Sequence, residues 1–154
     1  MFNKHSIALL TVLALSACGV PIKQALFASS RSTPDVLNTA ARVLATEGQS
    51  VANRDDTSGV LDTTWVETGL MWGSNSQGQT RMLVRRYKLV VSPAASGSTV
   101  VLRLDVKGCP AGGYTVGGSE VRGICDQITQ VPETLQQDAD AMAARIDMAL
   151  QKSQ

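Results

Sequence analysis

Apolar and polar residues alternate with a period of two through the middle of the chain, which is typical of strands that bury one face. The pattern is clearest in 80–91 and 99–107. Their inward-facing positions are Tyr87, Leu89, Val91, Val100, Leu102, Leu104 and Val106. Arg86 and Lys88 fall on the opposite face of the first segment. We therefore predict two neighbouring strands in which these basic residues pair with Asp105.

Shorter strands and turns surround this pair. The other predicted strands lie at 50–54, 60–67, 114–116 and 119–121. Residues 55–59 have the composition of a turn, and 93–98 are predicted to form a hairpin loop. Three glycines and an asparagine predict a loop over 68–79.

The hydrophobic period becomes helical at both ends of this region. The first predicted helix begins at Thr33, which can cap it, has Pro34 in its first turn and ends at Gly48. The second begins near Pro132, and its apolar stripe consists of Leu135, Ala139, Met142, Ile146 and Ala149. This order predicts an α+β fold: an antiparallel sheet of four to six strands with an N-terminal and a C-terminal helix packed on one face.

The N-terminus has the pattern of an export signal. Lys4 precedes a run of nine residues, Ile7–Leu15, that is apolar apart from one threonine. This length suits the hydrophobic region of a signal peptide and is too short to span a bilayer. We therefore expect a cleaved N-terminal signal.

The sequence Leu15-Ser16-Ala17-Cys18 resembles the bacterial lipobox. The resemblance implies that 1–17 are a lipoprotein signal peptide, that Cys18 is lipidated and that the lipid attaches the protein to a membrane. In enteric lipoproteins, an aspartate after the cysteine resembles an inner-membrane retention signal. Gly19 at that position therefore implies the outer membrane, on its periplasmic or surface face. An ordinary cleaved signal with a chance cysteine is the alternative.

The length of the chain indicates how many domains follow the signal. The 154 residues are 44% hydrophobic, which suits one domain with its own core. We predict a lipidated tether over 18–32 and a single α+β domain over 33–154. The tether is expected to be mobile because glycine, proline and serine are mixed in it with a few apolar residues.

Charge and histidine content exclude several functions. Basic and acidic residues are nearly balanced, 14 against 13, so we predict no nucleic-acid partner. The one histidine, His5, lies in the predicted signal, and its loss excludes His-based triads and His-rich metal sites. The adjacent acids Asp55 and Asp56 suit a turn better than acid–base catalysis. We predict no enzymatic activity, no cofactor and no metal.

With Cys18 assigned to lipid, Cys109 and Cys125 remain as a pair in an oxidising compartment. A disulfide between them would close a glycine-rich loop of 15 residues. Such a bond contributes about 3 kcal/mol in the chain-entropy model. A redox or metal pair is the alternative, but the CxxC spacing and an available histidine are both missing.

Two surface features are candidates for contact with a partner. Met71 and Trp72 lie between glycines in the predicted loop, where they either fold back on the domain or touch a partner or membrane. A basic stretch carries Arg81, Arg85, Arg86 and Lys88. It is either a solvated strand face or a site for an anionic partner such as lipid headgroups or lipopolysaccharide. Trp65 alternates with Leu61 and Thr63, which predicts a core position.

A family resemblance joins several of these segments. Gly59-Val60-Leu61-Asp62-Thr63-Thr64-Trp65, the strand Arg86-Tyr87-Lys88-Leu89, the strand beginning at Thr99 and the C-terminal helix are similar to domains of BamC (NlpB)-like outer-membrane lipoproteins. The resemblance covers about 33–151. It implies a helix-grip fold, in which an antiparallel sheet grips a long helix.

The resemblance also implies a function: an accessory or scaffold protein of an envelope assembly, with an envelope protein as its partner, in outer-membrane protein assembly. The alternative is a periplasmic carrier that holds a small apolar ligand or lipid between helix and sheet. A carrier needs a large apolar cavity under the C-terminal helix, whereas a scaffold needs a filled core and an exposed patch.

Overall fold

The computed structural model describes residues 19–74, 78, 80–111, 114–116, 119–121 and 124–152. The predicted signal peptide and Cys18 lie outside these residues. The helices are α1 (Thr33–Thr46) and α2 (Glu133–Lys152). The strands are β1 (Val20–Pro21), β2 (Ala25–Ser29), β3 (Val51–Asp55), β4 (Val60–Thr63), β5 (Val66–Ser74), β6 (Thr80–Ala94), β7 (Gly97–Pro110), β8 (Tyr114–Val116), β9 (Ser119–Val121), β10 (Asp126–Gln127) and β11 (Gln130–Val131). The predicted α+β class is confirmed.

The main sheet is antiparallel and is built around one long hairpin. β6 and β7 pair without interruption. Arg81 lies opposite Pro110 at one end of the hairpin, and Ala94 lies opposite Gly97 at the other. The order across the sheet is β10-β7-β6-β4-β3, with β2 also beside β7 and β5 also beside β6. The described residues thus give seven strands in this sheet, so the predicted number of four to six was too low. The long central strands each have room for two shorter neighbours on one side.

Both helices pack on one face of this sheet, as predicted, and their apolar stripes meet the inward residues of β4, β6 and β7. The most deeply buried large side chains are Val36, Leu37, Leu44, Leu61, Leu83, Tyr87, Leu89, Val91, Val100, Leu104, Ile146 and Leu150. All of them belong to one contiguous cluster. Each such side chain contributes roughly 1.5–3 kcal/mol by leaving water, so this cluster is what holds helices and sheet together.

The start of α1 differs by one residue from the prediction. Ser32, not Thr33, is the N-cap residue, and its side chain accepts a hydrogen bond from the backbone N–H of Asp35. Pro34 lies in the first turn, as predicted. The shift is small because serine and threonine cap a helix by the same chemistry.

The predicted tether over 18–32 is wrong for the described part, 19–32. Ala25–Ser29 pairs with β7 along its whole length, and Val20–Pro21 pairs with β11. Ile22 and Phe27 pack against the core. The fourteen-residue β7 is much longer than β10, its other partner on this side, so it offers an unpaired edge that this segment covers. The domain therefore includes 19–32 and does not begin at residue 33.

The predicted loop over 68–79 is also wrong in its first half. Val66–Ser74 forms β5, which pairs with the start of β6 through two register shifts. Gly69 and Gly73 adopt positive φ angles of 71° and 58°, which glycine reaches without strain. The glycines thus mark irregularities within a strand rather than its end.

Two further predictions agree with the structure, whereas the predicted hairpin loop over 93–98 is too long, because β6 runs to Ala94 and β7 begins at Gly97. β8 and β9 pair as the predicted small hairpin, and α2 begins one residue after Pro132. Along the part of the chain that the structure describes, neither helix has the length and apolarity needed to cross a bilayer.

Candidate functional site

The side of the main sheet opposite α1 and α2 carries the candidate site, and we call it the helix-free face. Residues directly opposite each other in an antiparallel pair point to the same side of the sheet. The strand registers therefore show which side chains of this face form rows across the strands. One row consists of Leu26, Val101, Val90 and Val60. Leu26 is 70% exposed. The row is an apolar band across four strands on the open side of the sheet.

The next two rows are charged. Arg103, Lys88 and Asp62 form one row, and Asp105 and Arg86 lie in the row beyond it. Asp105 receives hydrogen bonds or ion pairs from both arginines, with Nε of Arg86 3.1 Å from one carboxylate oxygen and Nε of Arg103 2.8 Å from the other. The predicted pairing of Arg86 with Asp105 is confirmed, whereas Lys88 lies 4.0 Å from Asp62 and does not pair with Asp105 as predicted. Two cations that share one carboxylate leave positive charge in the centre of the face.

Trp65 also lies on this face, so its predicted place in the core is wrong. Its alternation with Leu61 and Thr63 holds only while the strand is continuous. The hydroxyl of Thr63 accepts a hydrogen bond from the backbone N–H of Tyr87 at 2.9 Å, and β4 ends at Thr63. When pairing resumes, Val66 lies opposite Arg85 on the helix side. The residues that face the helices are odd-numbered up to Thr63 and even-numbered from Val66. Trp65 therefore points to the helix-free face.

Two cations cover the exposed indole ring of Trp65. The guanidinium carbon of Arg86 lies 4.8 Å from a ring centroid, and Nζ of Lys107 lies 4.6 Å from it. Both distances fall in the range of cation–π attraction. Trp65 is 36% exposed, so the cluster of Trp65, Arg86 and Lys107 presents an aromatic surface with a positive rim.

Two open depressions flank Trp65. The larger has a volume of about 620 Å³, and the residues that line it include Ile22, Gln24, Arg86, Arg103, Asp105, Lys107 and Ile128. The smaller, about 350 Å³, lies between Trp65 and the Cys109–Cys125 pair. The indole ring is therefore a ridge between two hollows, a shape suited to contact with another molecule.

The far end of the helix-free face is apolar again. Met71 lies opposite Met82, and Met82 lies opposite Cys109. The sulfur atoms of Cys109 and Cys125 are 2.06 Å apart, so the predicted pair lies at disulfide distance. Met71 is half exposed. The face thus runs from an apolar band through a charged centre with Trp65 to a second apolar band.

The sequence-predicted contact residues are not all brought together. Arg86, Lys88 and Met71 lie on the helix-free face. Trp72 instead packs, partly buried, against the core, and Arg85 reaches Asp138 of α2 on the helix side at 3.1 Å. The basic stretch is divided because neighbouring residues of a strand point to opposite faces.

Arg85 also shapes the environment of a buried phenol. Its guanidinium donates to the hydroxyl of Tyr87 at 3.0 Å. Burial raises the pKa of Tyr87 above its ordinary value, and the positive charge of Arg85 opposes part of that rise. The phenol is therefore held neutral, which fits a structural role under α2.

The acidic turn at 55–56 has the geometry of a turn. Asp55 accepts hydrogen bonds from the hydroxyl of Ser58 and from the backbone N–H groups of Thr57 and Ser58. These bonds hold the pKa of Asp55 below its usual value, which makes it a weaker base. Asp56 forms an ion pair with Arg54. Among the described residues, no group of three His, Cys, Asp or Glu side chains is arranged to hold a metal.

Comparisons with known proteins add little to this description. No protein-family model matches the chain, and no curated protein matches it. Among solved structures, a DUF4468 family protein from Bacteroides ovatus is similar, with a TM-score of 0.42 and 12% sequence identity over 84% of this chain and 85% of that chain. A similarity at this level supports no inference about function.

Proposed function

We propose that the protein is a lipid-anchored accessory or scaffold protein of a bacterial envelope assembly, attached to the outer membrane through Cys18. The lipobox-like sequence before Gly19 supports the anchoring, as does the export-signal pattern that precedes it. The likeness to BamC-like domains supports a helix-grip fold and a role in outer-membrane protein assembly. The protein is not an enzyme in this proposal, and its partner is an envelope protein.

The observation that carries the proposal is the difference in burial between the two sides of the sheet. The helix side is packed with fully buried side chains, whereas the helix-free face leaves Leu26 and Trp65 exposed beside charged groups. An exposed aromatic residue flanked by arginine is typical of the residues that dominate protein–protein binding energy. A filled core with an exposed patch is what a scaffold requires.

The competing function, carriage of an apolar ligand, needs space between α2 and the sheet. Ile146 and Leu150 of α2 and Leu104 and Tyr87 of the sheet are at most 2% exposed and occupy that region. The two depressions beside Trp65 are open, and their linings include charged side chains. The described packing therefore favours a scaffold over a carrier.

The test is crosslinking and affinity capture of the full chain from bacterial membranes. We expect wild-type protein to capture a defined envelope protein, and Trp65→Ala to reduce that capture at least about tenfold, as loss of a central aromatic contact does. Met148→Ala, which removes a half-exposed side chain of α2, is the matched control and should capture normally. Recovery of bound lipid without any protein partner would overturn the proposal in favour of a carrier.

A further inference from the structure

The first described residues are bound firmly to the domain. Val20 pairs with Val131, and the backbone N–H of Ile22 donates to the carbonyl of Thr129 at 3.2 Å. The backbone N–H of Lys23 donates to the side-chain oxygen of Gln136 at 2.9 Å, and the amide of Gln136 returns a bond to the carbonyl of Lys23. From Val20 onward this segment is therefore part of the folded domain rather than a linker.

Only Gly19 separates Cys18 from this fixed segment. Two residues of extended chain reach at most about 7 Å. A Cβ placed on Gly19 would lie 2.8 Å from Cζ2 of Trp72, so the backbone of residue 19 runs against that indole ring. Acyl chains on Cys18 would consequently enter a bilayer close to Trp72.

Two exposed apolar side chains belong to the strand ends near this exit point. Ile124 is 91% exposed and Met71 is 50% exposed. The registers connect them, because Met71 belongs to the same row as Cys109, whose bonded partner Cys125 follows Ile124. We call this region, formed by Gly19, Met71, Trp72, Cys109 and Ile124, the anchor end.

We propose that the anchor end rests on the membrane surface, so that the domain stands directly on the bilayer with no spacer. This inference rests on the proposed lipidation of Cys18. Exposed apolar side chains lose contact with water at the bilayer interface, and tryptophan is enriched at that depth. With a reach of about 7 Å, the acyl chains cannot enter the bilayer unless this end approaches it. The occupant of the apolar surface is thus the lipid bilayer.

The placement fixes how the rest of the domain faces its surroundings. β6 begins at the anchor end and β7 returns to it, so the turn between Ala94 and Gly97 lies at the end of the hairpin away from the membrane. The helix-free face then stands on the bilayer at its Met71 edge and opens to the side. A partner that binds Trp65 would approach beside the membrane rather than from above it.

The two tryptophans allow a direct test in the full lipidated chain. Trp65→Phe leaves Trp72 as the single reporter at the anchor end, and Trp72→Phe leaves Trp65 on the helix-free face. Both proteins are purified from membranes, their acylation is verified by mass, and they are reconstituted into phosphatidylcholine vesicles with or without brominated acyl chains. We expect bromolipid to remove most of the Trp72 emission and to leave the Trp65 emission nearly unchanged.

The outcomes separate this inference from the proposal on which it rests. An acylated chain whose Trp72 emission is unaffected, or whose Trp65 emission is quenched as strongly, would overturn the placement and leave the anchoring intact. A chain without acyl groups would overturn both. If Trp72→Phe fails to fold, the difference in quenching between wild type and Trp65→Phe supplies the Trp65 value.

Discussion

Ile146→Ala is expected to lower the free energy of unfolding of the full chain by about 2–5 kcal/mol, the range for removing a large aliphatic side chain from a packed core. Ile146 is fully buried between α2 and the inward residues of the sheet. Truncation removes its packing contacts and leaves a cavity that rigid neighbours fill only in part. Equilibrium denaturation with urea measures the change.

Met148→Ala is the matched control on the same helix, because Met148 is half exposed. Its expected effect stays within about 0.5 kcal/mol, as for most surface substitutions. Equal effects of the two substitutions would contradict a filled interface between α2 and the sheet. That result would reopen the possibility of a ligand cavity there, which is why this prediction also bears on function.

Replacing both Cys109 and Cys125 by serine is expected to lower the free energy of unfolding by about 3 kcal/mol, because the crosslink no longer restricts the unfolded chain. The double variant avoids leaving one free thiol. Cys18→Ser is the control, and its unfolding free energy should match wild type. Urea denaturation of the three proteins in detergent measures the difference.

An unchanged unfolding free energy in the double serine variant would contradict a stabilising role for the disulfide. The expected loss has a local consequence as well, because Cys109 and Cys125 line the smaller depression beside Trp65. We expect the effect of their removal on partner capture to be smaller than that of Trp65→Ala, since the indole ring itself remains.

The central hairpin and α2 could be predicted from the sequence because their patterns are long and regular. Val100 to Val106 alternate without a break, and the stripe from Leu135 to Ile146 repeats at helical spacing. In such segments the burial of one face dominates every competing preference. The pairing of Arg86 with Asp105 followed from the same alternation, since outward residues of neighbouring strands meet.

The elements that were missed lack a pattern of their own. β2 consists of Ala25–Ser29, five residues that become a strand only because β7 presents an open edge beside them. β5 contains Gly69 and Gly73, which indicate a loop when neighbouring strands are unknown. In both cases tertiary pairing decides the structure, and a local reading of the sequence contains no information about that pairing.

The position of Trp65 in the candidate site results from one interruption in the alternation of inward and outward residues. Trp65 is two residues after Thr63, and an unbroken strand would have buried both on the helix side. The interruption at Thr63, where a hydroxyl replaces a backbone carbonyl as acceptor for Tyr87, turns the indole ring outward. The sequence signal for this interruption is the pair Thr63-Thr64 directly before Trp65, since threonine hydroxyls can compete for backbone hydrogen bonds.

The helix-free face and the anchor end together suggest how such a protein would work. In the proposed arrangement, a lipid on Cys18 would hold the domain against the bilayer, and the strands would place Trp65 and its cations alongside the membrane. The nearly balanced total charge, 14 basic against 13 acidic residues, makes long-range attraction weak. Specific contacts at Trp65, Arg86 and Asp105 would therefore decide which partner is bound.

Site-specific photocrosslinking in intact cells tests the central claim, that the helix-free face holds the protein partner. A photoreactive amino acid is placed at Leu26, which is 70% exposed on that face, or at Met148 on the outer side of α2. Both positions are exposed and apolar, so they differ mainly in the side of the domain that they report. We predict a defined protein adduct from position 26 that disappears with Trp65→Ala, and no such adduct from position 148. Protein adducts from position 148 alone, or lipid adducts alone from position 26, would contradict the account.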